Sequence, residues 1–148
     1  MESKYDSLSL KNQLCFPIYL CAKEIINKYT PMLNKINLTY TQYIVMMYLW
    51  EVKESNVKEI GNTLLLDSST LTPLLKKLES KGYITRERSE VDERNLVVKV
   101  TNAGLLLRDK ALFIPNEMGK CLNLSQEEAE TLYKLIYKTL KNVDDNHG

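Results

Sequence analysis

Residues 66–100, LDSSTLTPLLKKLESKGYITRERSEVDERNLVVKV, hold two periodicities that meet at Gly82. In the first half Leu71, Leu74, Leu75 and Leu78 recur at helical spacing behind a polar turn, Asp67-Ser68-Ser69-Thr70, rich in residues that cap helix N-termini. Gly82 supplies the stop, and Pro73 is read in or just past the first turn, where a missing N–H costs least. From Tyr83 the period falls to two. Ile84, Arg86 and Arg88 alternate with Thr85 and Glu87, the polar stretch from Ser89 to Asn95 intervenes, and Leu96, Val98 and Val100 alternate again. Two such runs around a charged loop predict a β-hairpin directly after the helix.

Working upstream, Asn56-x-x-Glu59 reads as a capping box that opens a short helix from Val57 to Leu65, after a polar loop at Lys53-Glu54-Ser55. Before it, a helix is expected to follow residues 37–41, with Tyr43, Ile44, Met47 and Trp50 as buried candidates. A long first helix, roughly residues 8 to 30, is expected from apolar residues such as Leu14, Ile18, Ala22 and Ile25. Pro17 should kink its early part, and Thr30-Pro31 should end it. Downstream, Thr101 should cap a fifth helix running to about Ile114-Pro115. Ser125-x-x-Glu128 should cap a sixth, with Leu132, Leu135, Ile136, Leu140 and Val143 apolar. The fold class is therefore mainly α with a small β-hairpin wing, a winged helix-turn-helix with six helices. A single domain over 1–148 is expected, its winged helix at about residues 37–101.

The chain has 148 residues, 44% hydrophobic and 26% charged, with a net charge of +1, so bulk charge argues neither for nucleic acid nor for a membrane surface. No apolar run suits a signal peptide or a membrane span, and the expectation is a cytoplasmic protein. In that compartment Cys15, Cys21 and Cys121 should not form structural disulfides. They lack metal-ligand spacing, and the single histidine, His147, lies in a polar tail, so neither a metal site, a cofactor nor a nucleophile–histidine pair is expected, and no enzyme.

In a helix-turn-helix the second helix enters the major groove by its N-terminus. Ser68, Ser69, Thr70 and Thr72 occupy that end, with Lys76 and Lys77 one to two turns on, placed for phosphates. Arg86 and Arg88 on the first wing strand and Arg94 near its tip suit a minor groove. Yet between Asp67 and Val100 the basic residues exceed the acidic by only one, so composition alone fits a solvated face equally well.

The segment Leu66 to Glu79 and the wing run Arg86 to Arg94 resemble the MarR family, in its organic-hydroperoxide-sensing branch. So do Asn12 to Tyr19 and Asn37 to Tyr43. The resemblance spans roughly residues 8 to 143, with Ser69 departing from a usual glycine. It implies a homodimer built from the first, fifth and sixth helices (about 8–30 and 102–143), bound to near-palindromic double-stranded DNA. It implies that Asp92 orients Arg94 at the wing tip. By spacing alone Cys15 is a small apolar residue of an amphipathic helix; the resemblance makes it the sensor of an organic hydroperoxide effector. Helix N-terminal amides favour an anion there, and Tyr19 lies one turn away. Tyr29 and Tyr40 match phenols that hydrogen-bond the sulfur from the partner subunit. Cys21 is read as packing, and Cys121, expected in the loop before the last helix, as a possible resolving cysteine. One- and two-cysteine mechanisms both stay open. So does a broader MarR-type regulator answering phenolic ligands or general oxidants.

Overall fold

The computed structural model describes residues 3–91 and 95–145. The chain divides into two compact units, Met1–Ile114 and Pro115–Gly148.

In the first unit, two short 3-10 turns (Asp6–Leu8 and Leu10–Asn12) precede α1, Cys15–Asn34. Because α1 starts at Cys15, Pro17 falls in its first turn, where no intrahelical N–H bond is lost, and the expected kink has no cause. The break expected at Thr30-Pro31 does not occur either. The helix carries Pro31 inside it and continues to Asn34. Leu33, Ile36 and Leu38, 1%, 5% and 4% exposed, pack immediately beyond, so tertiary burial overrides the local penalty of the proline.

Helix α2, Tyr40–Val52, opens with a reciprocal capping box. The Gln42 amide donates to Thr39 Oγ1 and the Thr39 amide donates to Gln42 Oε1. Tyr43 and Trp50 are buried as expected, but Ile44 and Met47 are only half-buried, while Val45, Met46 and Leu49 are fully enclosed. The reason is that α2 meets α1, helices α3 (Val57–Leu64), α4 (Ser68–Ser80) and α5 (Asn102–Ala111), and the sheet. A helix covered on nearly every side shows no single apolar stripe. Trp50 anchors it to α5, its indole N–H donating to the Gly104 carbonyl at 2.8 Å.

The polar stretch after α2 is a strand, β1, Glu54–Asn56, rather than a loop. With β2, Ile84–Arg88, and β3, Leu96–Val100, it forms an antiparallel sheet in the order β1-β3-β2, pairing Ser55 with Val98 and Arg86 with Val98 on opposite sides. The hairpin itself lies where the alternation put it. Asn56 caps α3, its Oδ1 accepting from the Glu59 amide at 2.8 Å. The box is not reciprocal, since Glu59 Oε2 instead accepts from the Ser55 hydroxyl.

Helix α4 is capped by Asp67, so Pro73 stands in the second turn, beyond the positions whose N–H is free, and removes the N–H that would pair with the Ser69 carbonyl. Leu71, Leu74, Leu75 and Leu78 are at most 6% exposed. At about 1.5–3 kcal/mol for each buried leucine against about 3 kcal/mol for an interior proline, burial wins. Gly82 at φ +81° turns the chain into β2. Thr101 caps α5 as expected, accepting from the Gly104 amide at 3.1 Å and donating to the Gly82 carbonyl at 2.6 Å. Helix α5 stops at Ala111, and a further helix without a signal read from the sequence, α6, runs from Ile114 to Leu122.

The second unit holds the rest of α6 and helix α7, Gln126–Asp145. Ser125 and Glu128 form the expected box in both directions, at 3.1 and 3.0 Å. Leu132, Leu135, Ile136, Leu140 and Val143 are all exposed, and the rings of Tyr133 and Tyr137 lie tilted against each other, centroids 4.6 Å apart, on the same helix. Cys121 lies within α6, not in a loop.

Candidate nucleic-acid interface and thiol site

The N-terminus of α4 is built by local chemistry. Asp67 Oδ1 accepts from the Thr70 amide at 2.8 Å and from the Ser69 hydroxyl at 2.6 Å. Those two donors, the Ser69 hydroxyl foremost, hold the Asp67 carboxyl below its ordinary range. Ser68, Ser69, Thr70 and Thr72 are all exposed, as are Lys76 and Lys77 farther along the same helix, while the leucines turn inward. The structure thus brings six of the expected contact residues onto one open helix. A cavity of about 490 Å³ adjoins its start, lined by residues of α3, the start of α4, Asn95 and Leu96.

On the wing, Arg88 is exposed. Asp92 and Arg94 lie outside the described residues. Arg86, expected as a nucleic-acid contact, is turned inward in the free chain. Its side chain is 18% exposed, and Nη2 donates to Glu79 Oε1 at 3.0 Å. The alternation that puts Arg86 on the face of Ile84 also turns it toward α4, where Glu79 meets it. That contact holds the Glu79 carboxyl below its ordinary range. The sequence does not single out Glu79, because an acid on one element and an arginine on the next carry no local signal of their pairing.

Cys15 is the first residue of α1 and is exposed; no side chain caps that helix end. Neither the packing role expected from its spacing nor the one assigned to Cys21 is filled in the single chain, for Cys21 and Cys121 are exposed too. Tyr19 is 61% exposed on the same stretch of helix. Tyr29 and Tyr40 stand together at the far end of α1, ring centroids 4.9 Å apart, and Tyr43 completes the cluster at 5.9 Å from Tyr29. Burial pushes all three phenols above their usual value, and mutual proximity adds to this for Tyr29 and Tyr43, so each keeps its proton to donate. From the sequence Tyr43 is expected only as core. Among the described residues no cluster of histidine, cysteine and carboxylates is arranged to hold a metal ion, and no helix is long and apolar enough to cross a membrane.

Residues 27–110 match the family described as transcriptional regulator SarA/Rot. The chain belongs to this family. The regulator is also 47% identical over 146 residues, 97% of both chains, to the organic hydroperoxide resistance transcriptional regulator of Bacillus subtilis (strain 168). It is 46% identical over 136 residues to the HTH-type transcriptional regulator SarZ of Staphylococcus epidermidis (strain ATCC 12228), covering 91% of the chain and 92% of SarZ. Among solved structures, reduced AbfR bound to DNA superposes with a TM-score of 0.78 at 33% identity, covering 95% of the regulator and 99% of AbfR. AbfR, from Staphylococcus epidermidis, has also been solved overoxidized on DNA and in a disulfide form. The winged-helix architecture and the resemblance to MarR-type hydroperoxide regulators drawn from the sequence are borne out, and these relatives are regulators of transcription, not enzymes.

Proposed function

We propose that the regulator is a homodimeric repressor that binds near-palindromic double-stranded DNA and releases it when an organic hydroperoxide oxidises Cys15. One observation carries the sensor assignment. Cys15 and Tyr29 lie on one unbroken helix, 14 residues and therefore about 21 Å apart. Phenols at that distance cannot serve the thiol of their own chain, whereas a second copy packed against α1 supplies them. Leu14 just before α1, Ile18, Tyr19 and Leu20 on it, and the apolar side of α7 are exposed in the single chain and support such an interface.

In the chemistry that follows, the Cys15 thiolate attacks one peroxide oxygen and the O–O bond breaks. The sulfur is oxidised by two electrons to a sulfenate. The departing alkoxide takes a proton to become the alcohol. Hydroxyl donors from Tyr19 and from the partner's Tyr29 and Tyr40 stabilise sulfur as an anion without adding charge. Oxygen added to sulfur changes those hydrogen bonds and shifts the spacing of the two recognition helices. On the DNA side, Ser68, Ser69, Thr70 and Thr72 meet base edges, Lys76 and Lys77 meet phosphates, and Arg88, with Asp92 and Arg94 by resemblance, serves the minor groove. The domain assignment goes with this: a winged helix at about 37–101 flanked by dimerisation helices.

The deciding experiment is gel shift of the regulator's own promoter with and without cumene hydroperoxide. Cys15→Ser should bind as wild type and stay bound; release unchanged in that variant refutes the sensor assignment. A second reading, a regulator with broader thiol or ligand response, draws support from the SarZ match and from AbfR, which has been solved on DNA even when overoxidized. Dose responses to hydrogen peroxide, cumene hydroperoxide and salicylate separate the two. A peroxide-induced dimer on non-reducing gels that needs both Cys15 and Cys121 selects the two-cysteine route.

A further inference from the structure

Glu79 occupies the last full turn of α4, and Arg86 is the middle residue of β2. One carboxylate grips the strand twice: Oε1 accepts from Arg86 Nη2 at 3.0 Å and Oε2 accepts from the Arg86 backbone amide at 3.2 Å. Among the described residues these are the hydrogen bonds that join α4 to β2. The guanidinium is drawn in far enough that its Nε is buried with no hydrogen-bond partner. Beyond it the outer strand turns to solvent, with Glu87 and Arg88 exposed. Past Val97, where β1 ends its pairing with β3, the wing is two strands with little stiffness of their own, so its angle to the body depends on what clamps it at that point.

We propose that Glu79 and Arg86 form a brace that sets the wing's angle to the recognition helix, which makes Glu79 a positioning residue for DNA binding and removes Arg86 from the set of wing arginines that reach DNA. This rests on the DNA-binding reading above. It opposes what charge alone dictates. An acid beside a DNA-facing helix repels phosphates, so on bulk electrostatics its loss strengthens binding; as one half of a brace, its loss weakens binding.

The test uses the full-length reduced protein, with Glu79→Ala, Arg86→Met and the double variant. Anisotropy titrations against a labelled duplex from its own promoter, run across a salt series, are paired with amide hydrogen exchange of the free protein. The brace requires each single variant to lose about tenfold in affinity, the cost of one mispositioned base-pair contact. The double variant should lose no more than either single one. The salt slope should stay at the wild-type value in Arg86→Met, because no phosphate contact has gone. In the DNA-free protein, exchange at the Glu87 and Val97 amides, which face each other across β2 and β3, should rise in Glu79→Ala, with the thermal transition of the core retained. Tighter binding by Glu79→Ala, a log–log slope shallower by about 0.9 in Arg86→Met, or unchanged exchange at both amides overturns the brace. Failure of the wild type to bind the duplex, with the exchange difference intact, overturns the DNA-binding reading and leaves the brace standing as a structural tie.

Discussion

Co-expressing two differently tagged subunits, one carrying Cys15→Ser and the other Tyr29→Phe with Tyr40→Phe, yields a mixed dimer with a single Cys15. If the sensor is closed between subunits, that thiol faces the intact phenols of its partner. If the sensor lay within one chain, the same thiol would face two phenylalanines. The helix decides which is expected: 14 residues of α1 separate Cys15 from Tyr29, about 21 Å at 1.5 Å per residue, far beyond the joint reach of the two side chains. A hydrogen bond to a charged acceptor contributes about 1.5–3 kcal/mol, so losing even one of the two slows oxidation by at least about tenfold. Under excess cumene hydroperoxide, mass spectrometry of the Cys15 peptide, with a sulfenate trap, gives the rate directly and keeps Cys21 and Cys121 apart. The mixed dimer should react at the wild-type rate, and the Tyr29→Phe/Tyr40→Phe homodimer at least about tenfold more slowly. Equal, slow rates in both would refute the reasoning.

Gly104→Ala places a Cβ 2.3 Å from the Tyr83 carbonyl oxygen and 2.7 Å from a Val100 methyl. Neither the strand nor the turn can yield easily, and denaturant unfolding should show a loss of about 1–3 kcal/mol or more. Thr101→Ala removes both the α5 cap and the bond to Gly82, and should cost about 0.5–2 kcal/mol by the same assay. The Glu79 carboxyl, held low chiefly by its hydrogen bond from Arg86, is charged over a wider range folded than unfolded. Its contribution is therefore present above the ordinary carboxylate range and lost as pH falls through the folded value; carbon-detected NMR titration should find the shift abolished in Arg86→Met. Ile136→Glu on α7 should turn the dimer into a monomer on sedimentation at micromolar concentration, and an unaltered dimer would exclude α7 from the interface.

The recognition helix and hairpin are legible because their signals are local. An N-cap acid, four leucines at helical spacing, a glycine stop and two alternating runs lie within 35 consecutive residues, and the Asp67 cap needs no distant partner to form. Exposure of Ser68, Thr70, Lys76 and Lys77 follows from the same register. Strand β1 is not legible, because Glu54-Ser55-Asn56 has no pattern of its own and is a strand only through β3, more than 40 residues away. Helix α1 departs from the expected breaks at both prolines: Pro17 falls harmlessly in the first turn, and Pro31 is held in place by burial of Leu33.

The sequence by itself determined the class of fold, the succession of recognition helix and hairpin, and which helix end is left bare and polar, because helical and strand periodicities and capping chemistry are written in neighbouring residues. Only the tertiary structure decided the fate of individual side chains. It turned Arg86 toward Glu79, drew Tyr43 in beside Tyr29 and Tyr40, and put Cys15 at the opposite end of α1 from those phenols. Such pairings depend on how packed elements face one another, and no window of consecutive residues carries that geometry.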